Sequence, residues 1–235
     1  MAEDVSTPAG VQSEFKHAKA NALLSLKRGM EAVFCGDQDS SLVAGKHTTR
    51  GLGSWISSSA QAELPVPADY RTPAGSIKTQ TTANLTETIL LALMQSIYEQ
   101  TGQMGDWDAL VGTSLKAMVS SFTIHDPDVA SKTVVRTFNA NLKDNTLHSR
   151  IDVVRGDFGT MRLHPSLFLA FNNTTKAADS HRGLVLDMDD VCIRTNKPPG
   201  FKALPEDDSG PRGVVSAIFA LQLGNPLKHG KIVGS

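Results

Sequence analysis

The chain has 235 residues, 40% of them hydrophobic, enough to build a core in one domain or in two small intertwined ones. Lys and Arg total 23 against 24 Asp and Glu, a formal net charge of −1, so the basic excess of a free-standing nucleic-acid binder is absent. No apolar run approaches the ~20 residues that span a bilayer, residues 1–6 carry no secretory-signal pattern, and two cysteines, Cys35 and Cys192, exclude a disulfide framework. Apolar neighbours flank both, which predicts two buried thiols.

Residues 13–35 read as one long helix. Ser13 is a candidate N-cap with Glu14 in the first turn. Phe15, Ala18, Ala22, Leu26, Met30 and Val33 recur every three or four residues as one apolar stripe, and Gly36 is a natural stop. Such a helix is about 35 Å long, which predicts a spine on which other elements pack. Residues 37–83 are irregular, rich in Ser, Thr, Gly and Pro, around an apolar island from Gly51 to Ile56; long loops of this kind are functional or mobile.

A second helix is predicted at about 85–101. Asn84 and Glu87 have capping-box spacing, with Thr86 a competing cap. Leu90, Leu91, Leu93, Met94, Ile97 and Tyr98 make it apolar around much of its circumference, which predicts deep burial, and Gly102 ends it. Residues 108–111 predict a short strand, and Ser114 is positioned to cap a helix over 115–122. Asp126-Pro127 breaks the chain, and a strand is expected through 134–138.

Next come Ile151-Asp152-Val153-Val154 and Met161-Arg162-Leu163, separated by the turn residues Gly156-Asp157-Phe158-Gly159. This is a hairpin pattern, and Leu184-Val185-Leu186 supplies a third strand. Segments 172–182 and 197–213 predict surface loops. Residues 214–223 are almost wholly apolar and read as a strand covered on both faces, or as a buried helix.

The chemical motifs fail on spacing. From Gly36 to Gly45-Lys46 eight residues intervene and His47 follows, so no compact phosphate nest forms, and the stretch is expected to be a flexible surface loop. Asp37-Gln38-Asp39 opens like a calcium loop but has Leu42 where glycine is required and Thr48 where glutamate is required. Asp187, Asp189 and Asp190 are the best metal candidates, because clustered carboxylates suit hard cations. On a strand Asp187 and Asp189 would share one face and Asp190 would point elsewhere, as at a solvated strand end. None of the seven histidines has a helical zinc partner, and His164, beside Pro165 at the hairpin end, is expected to be structural. No Gly-x-Ser-x-Gly is present. No catalytic, cofactor-binding or metal residue is therefore assigned.

Several of these segments share a resemblance. The hairpin 152–165, Asp-Val-Val-x-x-Asp-Phe-Gly-Thr-x-x-x-x-Pro in outline, and the following Leu184-Val185-Leu186-Asp187 resemble the major capsid proteins of tailed bacteriophages. Leu26-Lys27-Arg28-Gly29-Met30-Glu31 is similar to a stretch of that family's long helix. Ala44-Gly45 through Thr49-Arg50-Gly51-Leu52 to Trp55-Ile56, Leu85-Thr86-Glu87, Val111-Gly112 and Gly230-Lys231-Ile232 resemble further family segments, in family order.

The resemblance implies an α+β chain with the Hong Kong phage-type capsid fold. A peripheral domain over 1–83 would carry the spine helix 13–35. An axial domain with a central mixed sheet would span 84–195, and 196–235 would return to the peripheral domain. The family's N-terminal arm and extended loop have no counterpart in the dozen or so residues before the helix, which suggests a shortened chain. The implied role is a subunit of an icosahedral phage or prophage head. It would act with copies of itself in the virion, and in the bacterial cytoplasm before assembly. Scaffold or portal proteins and packaged double-stranded DNA, held without sequence readout, would be its other partners; no cofactor and no membrane are implied. Acidic Glu206-Asp207-Asp208 and basic Lys228, His229 and Lys231 read as solvated loop clusters, with a meeting across subunit contacts as the alternative. Two rival readings remain: a metal-dependent α+β enzyme using Asp187, Asp189 and Asp190 with His164 or His181, and the shell subunit of a protein nanocompartment.

Overall fold

The structure is a computed structural model, and it describes residues 14–80, 85–121, 152–170, 180–207 and 210–234. The Ser13 cap, the break at Asp126-Pro127, the strand expected at 134–138 and most of the loop expected at 172–182 lie outside them.

A six-stranded mixed sheet forms the centre, in the order β3-β10-β7-β4-β6-β5. Its strands are β3 (Ile77–Gln80), β4 (Gly105–Val111), β5 (Val153–Gly156), β6 (Gly159–Pro165), β7 (Gly183–Leu186) and β10 (Gly230–Gly234). The predicted hairpin is β5–β6, antiparallel with Gly156 opposite Gly159. The predicted third strand is β7, which runs antiparallel between β4 and β10.

Side-chain alternation divides this sheet between two cores. Trp107, Ala109, Val111, Met161, Leu163, Val185 and Ile232 pack with Leu90, Leu93, Met94 and Ile97 of α3 (Glu87–Thr101) and with Leu115 and Val119 of α4 (Thr113–Ser121). Leu184 and Leu186 face the other way, into a cluster with Cys35, Leu52, Ile56, Leu169, Leu221 and Leu223. With both faces covered, all four residues of β7 are buried, as in any strand roofed on both sides. Helix α3 starts at Thr86, the competing cap, and ends at Gly102, whose φ of 67° lets its N–H reach the Tyr98 carbonyl.

Helix α1 (Glu14–Phe34) matches the long first helix. It is half-buried at most: Leu26, Met30 and Val33 are partly covered, while Ala18 and Ala22 are exposed. What it lies against is a two-stranded ribbon, β8 (Val191–Asp207) and β9 (Gly210–Leu223), paired from Val191 opposite Leu223 outward to Asp207 opposite Gly210. Phe34 meets Phe219 edge to face with centroids 5.1 Å apart, and Phe15 meets Phe201 in the same way at 5.7 Å.

This ribbon overturns two expectations. Residues 197–213 form the outer part of the ribbon instead of a loop, and 214–223 is not covered on both faces, since Val214 and Ile218 are 46% and 55% exposed. Pro198-Pro199 and Gly200 read as a loop because proline cannot donate to a ladder. Here they sit at a bulge, where the pairing shifts between Lys197 and Gly200, and a bulge tolerates them.

The irregular stretch 37–83 is more ordered than its composition suggested. Ser41–Val43 (β1) and Lys46–Thr48 (β2) form a hairpin over Ala44 and Gly45, both at positive φ, as a two-residue turn of the I′ kind requires. That replaces the expected flexible loop. The apolar island is a short helix, α2 (Leu52–Trp55), with Leu52 and Ile56 buried in the second core. Strand β3 then pairs in parallel with β10, so the central sheet takes strands from residues 77–80 and 230–234 as well as from 105–186.

Candidate functional site

The acidic cluster follows a 3-10 turn over Met188–Asp190, not a strand, and that changes its geometry. Asp187 caps the turn, its Oδ1 accepting from the Asp189 N–H at 3.1 Å. With three residues per turn instead of two-fold alternation, Asp187 and Asp190 converge and Asp189 faces solvent. The cation between them is the protein's own: Lys228 Nζ lies 2.8 Å from Asp190 Oδ2 and 3.5 Å from Asp187 Oδ2. The hydrogen bond to Asp190 chiefly raises the Lys228 pKa. Among the described residues no group of three His, Cys, Asp or Glu side chains is arranged to hold a metal ion. His164 Nε2 lies 2.8 Å from Asp108 Oδ1, with about half of the histidine side chain exposed. The carboxylates thus form an internal ion pair, and the metal-enzyme reading loses its ligands.

The basic residues read as a solvated loop cluster, or alternatively as a subunit contact, are instead occupied inside the fold. His229 is fully buried, and its Nδ1 accepts from the Asp187 N–H at 3.1 Å. That acceptor role puts the proton of the neutral ring on Nε2. Burial lowers its pKa to about 4, against the pull of Asp187 and Asp190. Lys231 Nζ donates to the Gly53 carbonyl at 2.7 Å, and burial lowers its pKa in turn. These residues stitch β10 and the turn before it to α2 and β7; they do not project toward a neighbour.

A second arrangement was not anticipated. Arg50 is 4% exposed, and its Nε donates to Asp39 Oδ1 at 2.6 Å. Its Nη2 reaches the carbonyls of Glu63 and Leu64, and its guanidinium lies 4.6 Å from the centre of the Trp55 ring. Asp39 Oδ2 accepts from the Ala62 N–H at 2.9 Å. Burial raises the Asp39 pKa, but hydrogen bonds from Arg50 and Ser40 outweigh it and the net shift is downward. This clamp fixes the connection after α2 and holds Leu64 at a φ of 46°, with 84% of that side chain exposed. A leucine in this conformation is strained. Beside it lies a groove of about 470 Å³ bordered by Trp55, Pro65, Pro67, Tyr70 and Pro226. The one hint in the sequence was Arg50's place within a family-like segment; its burial depends on residues up to fourteen positions away.

The ribbon supplies a third surface. Ile193, Leu204, Val214 and Ile218 are each at least 40% exposed on this thin element. Cys192 is exposed on β8, which corrects the expectation of two buried thiols. Neither strand of the ribbon joins the six-stranded sheet, and among the described residues nothing covers Cys192.

The described residues thus form a doubly covered sheet, a helix-backed ribbon and a groove beside the Arg50 clamp. The sequence matches the family of SU10 major capsid proteins over residues 1–235, and the chain belongs to that family. No curated protein sequence matches the chain. Among solved structures, the capsid of the cyanophage P-SCSP1u is similar at 13% identity and a TM-score of 0.42, over 70% of this chain and 54% of that one. A virus-like particle from Pyrococcus furiosus is similar at 12% identity and a TM-score of 0.36, over 67% of this chain and 54% of that one. The chain therefore spans about half the length of each. No helix of the described residues is long and apolar enough to cross a membrane.

Proposed function

We propose that this protein is a tile of an icosahedral phage head, associating with copies of itself into a closed shell around DNA. Family membership over residues 1–235 carries this reading. The ribbon supports it: its exposed apolar residues have no covering element among the described residues, and repeated contacts under rotational symmetry would cover them. In this reading α1 with β8–β9 is the peripheral unit, α1 being the spine. The six-stranded sheet with α3 and α4 is the axial unit, and β3 and β10 connect the two. Near-neutral net charge limits repulsion between crowded copies and leaves the DNA confined without base readout. Scaffold and portal proteins complete the expected set of partners.

Electron microscopy of the protein expressed at full length tests this. Closed shells of uniform size support it. Particles that stay monomeric across salt and concentration would overturn it.

A further inference from the structure

We propose that the groove bordered by Trp55, Leu64, Pro65, Pro67, Tyr70 and Pro226 is the seat for the Pro198-Pro199 bulge of β8 from a second copy of this chain. The inference rests on the tile reading and specifies one of its contacts.

The groove has the chemistry of a polyproline receptor. Trp55 and Tyr70 supply aromatic faces, and three prolines and Leu64 supply rigid apolar walls. Extended proline segments fit such clefts with little loss of chain entropy. The Trp55 indole N–H is shielded from solvent and has no acceptor among the described residues, although a buried indole normally finds one. Leu64, held out at positive φ by the Arg50 clamp, keeps its side chain on the groove's rim.

The occupant is on the page. Pro198 is exposed and Pro199 half-exposed, at a bulge where Lys197 pairs with Ile218 and Gly200 with Ser216. Charge complements the fit. Arg194, Lys197 and Lys202 are exposed around the bulge, and Glu63 and Asp69, next in sequence to the groove residues Leu64 and Tyr70, are exposed. The Lys197 ammonium is held at the bulge by Ser216 Oγ, 2.6 Å away.

The groove cannot take its own ribbon. Leu223 lies in the groove wall, and the bulge is opposite Ser216 to Ile218 on the same strand, roughly 20 Å further out along a paired ribbon. Only a second copy can present its bulge, in a head-to-tail contact that repeats from copy to copy.

Two measurements test this on the full chain. First, a peptide of residues 195–202 is titrated in while tryptophan fluorescence is followed. Saturable binding is expected, weakened roughly tenfold or more by Tyr70→Ala in the protein or by replacing both prolines of the peptide with alanine. Absence of binding, or binding indifferent to both changes, would overturn the proposal. Second, Pro198→Cys and Tyr70→Cys copies, each also carrying Cys192→Ser, are mixed and oxidised. Disulfide dimers forming far faster in the mixture than in either copy alone support the contact. Shells that form without this cross-link sink the groove contact and leave the tile reading standing. A cross-link and peptide binding without shells would do the reverse.

Discussion

Arg50 Nε lies 2.6 Å from Asp39 Oδ1, and the arginine side chain retains 4% of its exposure. The pair closes the chain between α1 and the groove, because Arg50 also holds the Glu63 and Leu64 carbonyls and Asp39 holds the Ala62 amide. Arg50→Ala would strand Asp39 and two carbonyls, so a loss of about 3–5 kcal/mol is expected in urea unfolding. Arg50→Lys should recover little of it, because an ammonium lacks the planar fork that serves three acceptors. The lowered Asp39 pKa gives the pair a pH signature. Its contribution is complete above the ordinary carboxylate pKa, near pH 4, and disappears as acid titrates the folded carboxylate. Acid unfolding of Asp39→Asn should lack that component.

His229 sets a second pH dependence, at milder acidity. Burial lowers its pKa from 6.5 to about 4, outweighing Asp187 and Asp190, which favour the cation, and assisted by Lys228. Between these values the unfolded chain binds the proton and the folded one does not. Stability should therefore be full above about pH 6.5 and fall by about 3 kcal/mol by pH 4. His229→Asn keeps an acceptor for the Asp187 N–H and cannot titrate. Urea midpoints measured from pH 7 to pH 4 should flatten in that variant.

The two cysteines should react very differently. Burial, with help from Glu31, pushes the Cys35 thiol up to about 11, whereas Cys192 is exposed on the ribbon. At pH 8 a thiol reagent should label one equivalent of native protein quickly and the second only on unfolding. Cys192→Ser should abolish the fast phase; fast labelling that persists would mean that Cys35 is open to solvent.

Two glycines at positive φ separate conformational strain from collision. A Cβ at Gly102 would touch nothing, so Gly102→Ala should cost only about 1 kcal/mol, the left-handed penalty. A Cβ at Gly159 would run into the Gly105 carbonyl across the β4–β6 ladder. Gly159→Ala should cost about 3 kcal/mol or more, and thermal unfolding of the two variants side by side would rank them.

Local chemistry settled a good deal. The apolar spacing of α1 and α3, the positive-φ stop at Gly102 and the Gly156–Gly159 turn are short-range features, and each element formed where its own residues required. The family membership was also legible, because turns and strand ends carry motif residues in a fixed order.

Long-range contact decided the rest. The strand 214–223 is as apolar as a core strand, yet nothing in its composition says that it would stand in a two-stranded ribbon open to water. Pro198-Pro199 looked like a loop until the partner strand supplied a bulge to hold them. Asp187 and Asp190 read as part of a solvated strand end and as the best metal candidates, yet Lys228, about forty residues on, sits between them. Arg50 drew notice only as part of a family-like segment; Asp39, Trp55 and the Leu64 carbonyl closing around it are contacts of the fold. Periodicity reports which face of an element is apolar; only the packed chain determines what arrives to cover that face.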